Sequence, residues 1–304
     1  MRIPGLGDLS VMEVGKRAVK DFQDNDMSTY AAALTYRFLL ALFPFVIFLL
    51  TLLEALNLER FFTWLLEQAQ TALAADAYSQ VETIISQIRG GASGGLLSFG
   101  LLAALWSASS GVRSTMKALN VAYDVEEERT LWKQYLMSLL FTVGLAALII
   151  ASVALMLFGP QSMEWIADQA GLGDLFVTIW NWLRIPAAIL LMMLVVALVY
   201  YFFPNVDQPF RLVSPGSVIA VVAWLIATVG FSIYVSNFGN YNATYGSLGG
   251  IIVLMFYFFI SAATLLFGAE VNAVLFKAKV AGPEDNVDEA ERQETRRDVD
   301  ADAQ

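Results

Sequence analysis

The stretches Tyr135–Phe158, Leu212–Phe238 and Gly246–Ala269 contain no charged side chain. Each exceeds the about 20 apolar residues that carry a helix across a bilayer core of about 30 Å. Runs of that length are too long for an ordinary buried helix of a water-soluble domain. The chain is therefore expected to be an all-α, polytopic membrane protein. Three further segments extend the count to about six spans: Tyr30–Leu56, interrupted by Arg37; Gly94–Val112, rich in serine and glycine; and Arg184–Phe203. The sixth span continues from Gly246 to Leu275 and meets its first charge at Glu270. Composition agrees: 58% of residues are hydrophobic and 15% charged, against about 45–50% and about 25% for soluble domains.

Loop charges set an expected orientation. Arg2, Lys16, Arg17 and Lys20 lie before the first span, and Arg113, Lys117, Arg129 and Lys133 between the second and third. Arg211 lies between the fourth and fifth, and Lys277, Lys279, Arg292, Arg296 and Arg297 follow the sixth. The other set of loops holds only Arg60 and Arg89. Basic loops mark the cytoplasm, so both ends are expected inside, in a multi-pass cytoplasmic-membrane protein. Met1–Asp8 shows no cationic region followed by an apolar core, so no cleavable signal peptide is expected.

The domain plan follows. Residues 1–29 form a cytoplasmic arm, residues 30–280 the six-helix membrane domain, and residues 281–304 an acidic tail expected to be disordered. Within the arm, Val11–Phe22 aligns Val11, Val14, Ala18, Val19 and Phe22 on one face of an amphipathic helix. That helix could lie on an anionic leaflet or pack on the bundle, and the pattern does not separate the two. Residues 57–93 are expected to form one or two amphipathic helices over the outer face, with Gly90–Gly95 a hinge.

Composition also narrows the chemistry. The chain has no cysteine and no histidine, which removes disulfides, thiolate metal sites and histidine-based nucleophile pairs. No catalytic, metal-binding or cofactor-binding residue is assigned, and no enzyme activity is expected. The 28 acidic against 18 basic residues speak against a nucleic-acid partner, which needs a positive surface. The acidic balance fits a cell with high internal salt and an ordinary acidic tail equally well.

Ionisable groups inside spans are costly and point to function by default. Arg37 lies roughly 10 Å from the cytoplasmic edge by helical rise, and Arg113 and Glu270 fall near the same edge. The three are expected to form a charged cluster, with Glu270 between the arginines. A structural ion pair is the plainer reading; a gate or a site for an anionic headgroup is the sharper one. Ser107, Ser109 and Ser110 of the second span could line a polar route. The spacing of Ala103, Ser107 and Gly111, and of Gly100, Ala104 and Ala108, more simply permits close helix packing. Tyr234, Asn237, Asn240, Tyr241, Asn242 and Tyr245 make the uncharged link between the last two spans either a re-entrant element or a tight turn, with Gly246 and Gly250 as a packing step. Pro44 sits inside the first span, and Pro186 is expected in the first turn of the fourth.

Several blocks give the chain a family likeness. They are Ala31–Tyr36 with Ala41–Pro44, Leu105–Arg113 with Ala118–Asn120, Pro215-Gly216, Phe231–Tyr234, Asn240–Gly250 and Gly268–Asn272. With these the chain resembles the YihY/BrkB membrane proteins, once labelled ribonuclease BN. The resemblance implies a six-helix inner-membrane protein and supplies no catalytic residues. The leading functional expectation is transport or flipping of a lipid or other amphiphile, with membrane lipids and anionic headgroups as partners and a homo-oligomer allowed. A scaffold for envelope maintenance is the alternative, and a ribonuclease is disfavoured.

Overall fold

A computed structural model describes residues 10–55, 94–157, 167, 174–237 and 247–280. The outer segment at 57–93, the 281–304 tail and the Asn240–Gly246 stretch lie outside them. Seven helices are described: α1 (Val11–Asp24), α2 (Met27–Ala55), α3 (Gly94–Ala122), α4 (Leu131–Leu157), α5 (Asp174–Phe202), α6 (Pro215–Asn237) and α7 (Ser247–Val280). Among the described residues there is no strand.

Helices α2 and α4–α7 are long and apolar enough to cross a bilayer. Helix α3 has the length as well, at 29 residues, and its Gly95–Val112 stretch carries no charge. Ile226 and Val229 on α6 are 68% and 62% exposed, which suits side chains facing lipid instead of water. The chain is thus a polytopic helical membrane protein.

Helices α2 to α7 close a ring in chain order. Each packs on the next, α7 returns to α2, and α3 also touches α7 across the middle. Small residues let α2 and α3 approach closely. A Cβ on Gly100 would stand 3.3 Å from the Phe48 backbone, and one on Gly111 would stand 3.2 Å from the Phe38 ring. Gly100 and Gly111 of that glycine–alanine–serine stripe thus face α2. No described residue comes within 4 Å of where a Cβ on Gly250 would stand, so the packing step expected there does not reach a described neighbour.

Among the described residues the buried core is gathered at one end of the ring. Met27 and Leu34 of α2, Met116 and Leu119 of α3, Tyr200 and Phe203 at the end of α5, and Leu266 and Ala273 of α7 form one cluster. The same end collects the α1–α2 turn, the α3–α4 and α5–α6 loops and the end of α7. Arg129 donates to the carbonyls of Phe202 and Phe203, Asn205 N–H donates to Asn120, and Lys277 pairs with Asp124.

Helix α1 begins where Ser10 accepts a bond from Glu13 N–H at 3.2 Å, a capping arrangement that satisfies an otherwise orphaned amide. It packs on the bundle: Val14 and Ala18 are buried against Val271 and Val274, and Phe22 meets Phe267 edge-on at 6.0 Å. Val11, Met12 and Val19 stay exposed. Helix α5 starts ten residues earlier than expected, at Asp174 in place of Arg184, and Pro186 is inside it. The charge at Arg184 marked a boundary in the sequence that the backbone does not observe, because one arginine within a long apolar helix is tolerated when its stem reaches sideways.

Candidate functional site

The loop-rich end carries a cleft of about 570 Å³ between α2, α3, the α3–α4 loop and the start of α4. Arg37, Arg113 and Lys117 put three cations on its wall; Ser110, Ser114, Asn120 and Gln134 add polar groups, and Val121 and Val125 supply apolar surface. Helix periodicity explains the set: Ser110, Arg113, Ser114 and Lys117 are three or four apart, so α3 presents them on one stripe.

Each arginine is fixed by hydroxyls. Arg37 Nη1 crosses from α2 to donate to Ser110 Oγ at 2.9 Å. Arg113 Nη1 donates to Ser109 Oγ and to Ser138 Oγ of α4, both at 3.0 Å. Those two serines donate in turn to the carbonyls of Trp106 and Tyr135, which leaves their oxygens free to accept from the arginine. The Arg113 guanidinium also lies over the Tyr135 ring, 4.2 Å from its centroid, with Trp106 at 5.9 Å, a cation–π arrangement. Serine contacts orient a guanidinium without neutralising it.

The carboxylate on the wall is already engaged. Glu127 accepts from Arg129 Nε and Nη2, each at 2.6 Å, and from Asn120 Nδ2 at 2.9 Å. Burial pushes its carboxyl up, but the bonds from Arg129 outweigh this and hold it below its ordinary value. Among the described residues no carboxylate pairs with Arg37, Arg113 or Lys117. The cleft therefore presents uncompensated positive charge beside apolar surface.

The expected cluster of Arg37, Arg113 and Glu270 is not formed. Glu270 shares their end of the bundle but faces away, where Oε1 accepts from Asn25 Nδ2 at 2.9 Å. Among the described residues no ion pair joins it to either arginine. Helical rise speaks to depth alone; the direction Glu270 faces depends on α7 packing against α1. Of the serines, Ser109 and Ser110 hold arginines and Ser107 is half-buried beside them. Tyr234 is stacked on Phe231 and tilted on Phe256, in an aromatic patch on α6 and α7. Asn237 ends α6, while Asn240, Tyr241, Asn242, Tyr245 and Gly246 lie outside the described residues. Lys117 and Gln134 were not singled out from sequence; the three-and-four spacing from Ser110 and Arg113 was the signal for Lys117.

A second constellation joins α6 to α7. Gly216 N–H donates to Asn272 Oδ1 at 2.9 Å, and Asn272 Nδ2 donates to Ser214 Oγ at 2.9 Å. The side chain of α7 thus caps the start of α6, where amides lack intrahelical partners. Gly268 faces Gly216 so closely that a Cβ on it would overlap the Gly216 carbonyl and the Tyr200 hydroxyl.

Fold and cleft together define a multi-pass membrane protein with a cationic recess at one end of a helical ring. The sequence model for the family described as Virulence factor BrkB matches residues 18–293, and the chain belongs to that family. A Bacillus subtilis (strain 168) protein named as ribonuclease-like, YfkH, is 42% identical over 249 residues, covering 82% of this chain and 90% of its own. A UPF0761 membrane protein of Rhodospirillum centenum is 27% identical over 276 residues, covering 90% of this chain and 60% of the relative. Another, from Tolumonas auensis, is 35% identical over 72 residues, or 24% of each chain. No solved structure matches.

Proposed function

We propose that this protein transports or flips an amphiphile with an anionic headgroup across the cytoplasmic membrane, and that the cleft receives the headgroup. The observation that carries the reading is the unneutralised trio Arg37, Arg113 and Lys117 on a cleft that also offers apolar wall. Arginine suits phosphate oxygens through its planar fork of donors, and the apolar side suits the start of an acyl chain. The basic residues at this end support a cytoplasmic position by the charge rule, where anionic headgroups are abundant. The ribonuclease-like name of YfkH offers hydrolysis as a competitor. A net charge of −10 speaks against RNA, whose binding needs an extended positive surface rather than one cationic recess.

The test is lipid movement in liposomes containing purified protein. Wild type should move a fluorescent anionic phospholipid faster than a zwitterionic one. Arg37→Gln and Arg113→Gln should each slow the anionic lipid by about tenfold, the equivalent of one charge-assisted contact of about 1.4 kcal/mol. Absence of movement with folded wild-type protein would favour a scaffold. RNA cleavage by the same preparation would return the nuclease reading.

A further inference from the structure

Glu270 is fully buried in α7, yet its two carboxyl oxygens are treated differently. Oε1 accepts from Asn25, while Oε2 makes no hydrogen bond among the described residues. An ionised carboxylate left with a bare oxygen in such a place carries an uncompensated charge, which folded proteins avoid. A bound proton removes that charge.

The surroundings do not supply a substitute. Asp21 on α1, Tyr123 and Asp124 after α3 and Lys277 on α7 are the titratable groups facing it, with Asn25 on the α1–α2 turn. Two of these are acids, and the one cation, Lys277, is paired with Asp124. Burial, joined by the charge of Asp124, pushes the Asp21 carboxyl above its ordinary value despite Lys277. The pocket is thus acidic on balance. A metal cation is a poorer fit, because Asn25 turns its N–H group toward Glu270 and one free oxygen is far from a coordination shell of several oxygens.

Access and readout are both present. Asp124 is exposed and Asn25 half-buried, so water lies one side chain away. Asn25 also caps α1, its N–H donating to Asp21 O at 2.8 Å. Any change at Glu270 is therefore felt where α1 joins α2, the helix that carries Arg37.

We propose that Glu270 is a proton-exchange site between α1 and α7, and the site through which a proton gradient drives the transport proposed above. The proton enters from water at the loop-rich end and adds to the carboxylate to give a neutral acid; its release restores the negative charge. The coupling half rests on the transport reading, whereas the proton site stands without it.

Infrared spectroscopy of wild-type protein reconstituted in lipid tests the site directly. A protonated-carboxyl band should rise and fall reversibly with pH and vanish in Glu270→Gln. Asn25→Ala removes the bond that favours the ionised form, so the band should be stronger at a given pH; this variant serves if Glu270→Gln does not fold. A wild-type protein with no such band, or a band unchanged in both variants, overturns the site. In the same vesicles an imposed pH gradient should speed anionic-lipid movement several-fold in wild type and leave Glu270→Gln unaffected. Lipid movement indifferent to the gradient overturns the coupling. If wild type moves no lipid, the transport reading falls while the infrared result still decides the proton site.

Discussion

Gly216 and Gly268 show how much a single hydrogen can decide. Their backbones touch because neither carries a Cβ, and the Asn272 side chain uses that proximity to cap α6. Gly268→Ala should lower the melting temperature in detergent, since the methyl group overlaps the Tyr200 hydroxyl and the Gly216 carbonyl. The overpacking cost is about 1–3 kcal/mol. Asn272→Leu should cost about as much for a different reason, leaving the Gly216 amide buried without an acceptor. Parallel melting curves check both, and a silent Gly268→Ala would mean that the helices separate freely there. The Pro215-Gly216 and Gly268–Asn272 blocks stood out in the sequence as separate landmarks. That they complement one another was not legible, because nothing in a linear pattern states which two small residues face each other.

The elements tell a similar story about direction. Long apolar runs announced α2 and α4–α7, and the serine-rich run announced α3, since period and length are properties of one segment. What a segment cannot reveal is its rotation. Arg37, Arg113 and Glu270 share one end of the bundle, yet α3 turns Arg113 onto Ser109, Ser138 and Tyr135 while α7 turns Glu270 onto Asn25. Arg113→Leu should therefore loosen α3 from α4 specifically, seen as faster amide exchange in those two helices. The α3–α4 loop offers a pH prediction. The Glu127 carboxyl sits below its ordinary value of 4.5 when folded, so its ionised form adds stability above that value. That contribution is lost as pH falls through the lower, folded value. Wild type should lose melting temperature there, and Arg129→Gln, which lacks the latch to Phe202 and Phe203, should lose less over the same range.

At the scale of the whole molecule, the described part of the ring is asymmetric. Its core, capping contacts and cleft gather at one end, and the sidedness of that end can be read simply because the chain has no cysteine. Single cysteines at Glu128, Asp207 and Lys279, all exposed, should react with an impermeant maleimide only from the cytoplasmic side. Labelling of one from the opposite face would break the threading. The arginine of α3 carries a consequence for biogenesis. A segment bearing Arg113 in its last third inserts less readily on its own, since an arginine off the helix centre still carries part of the about 2.5–3.5 kcal/mol that it costs at the centre. Its remedy lies in α2, whose backbone it nearly touches at Gly100, and in the Ser138 hydroxyl of α4. Nascent α3 should wait at the exit channel for those neighbours, so that truncation before α4 leaves it outside the bilayer.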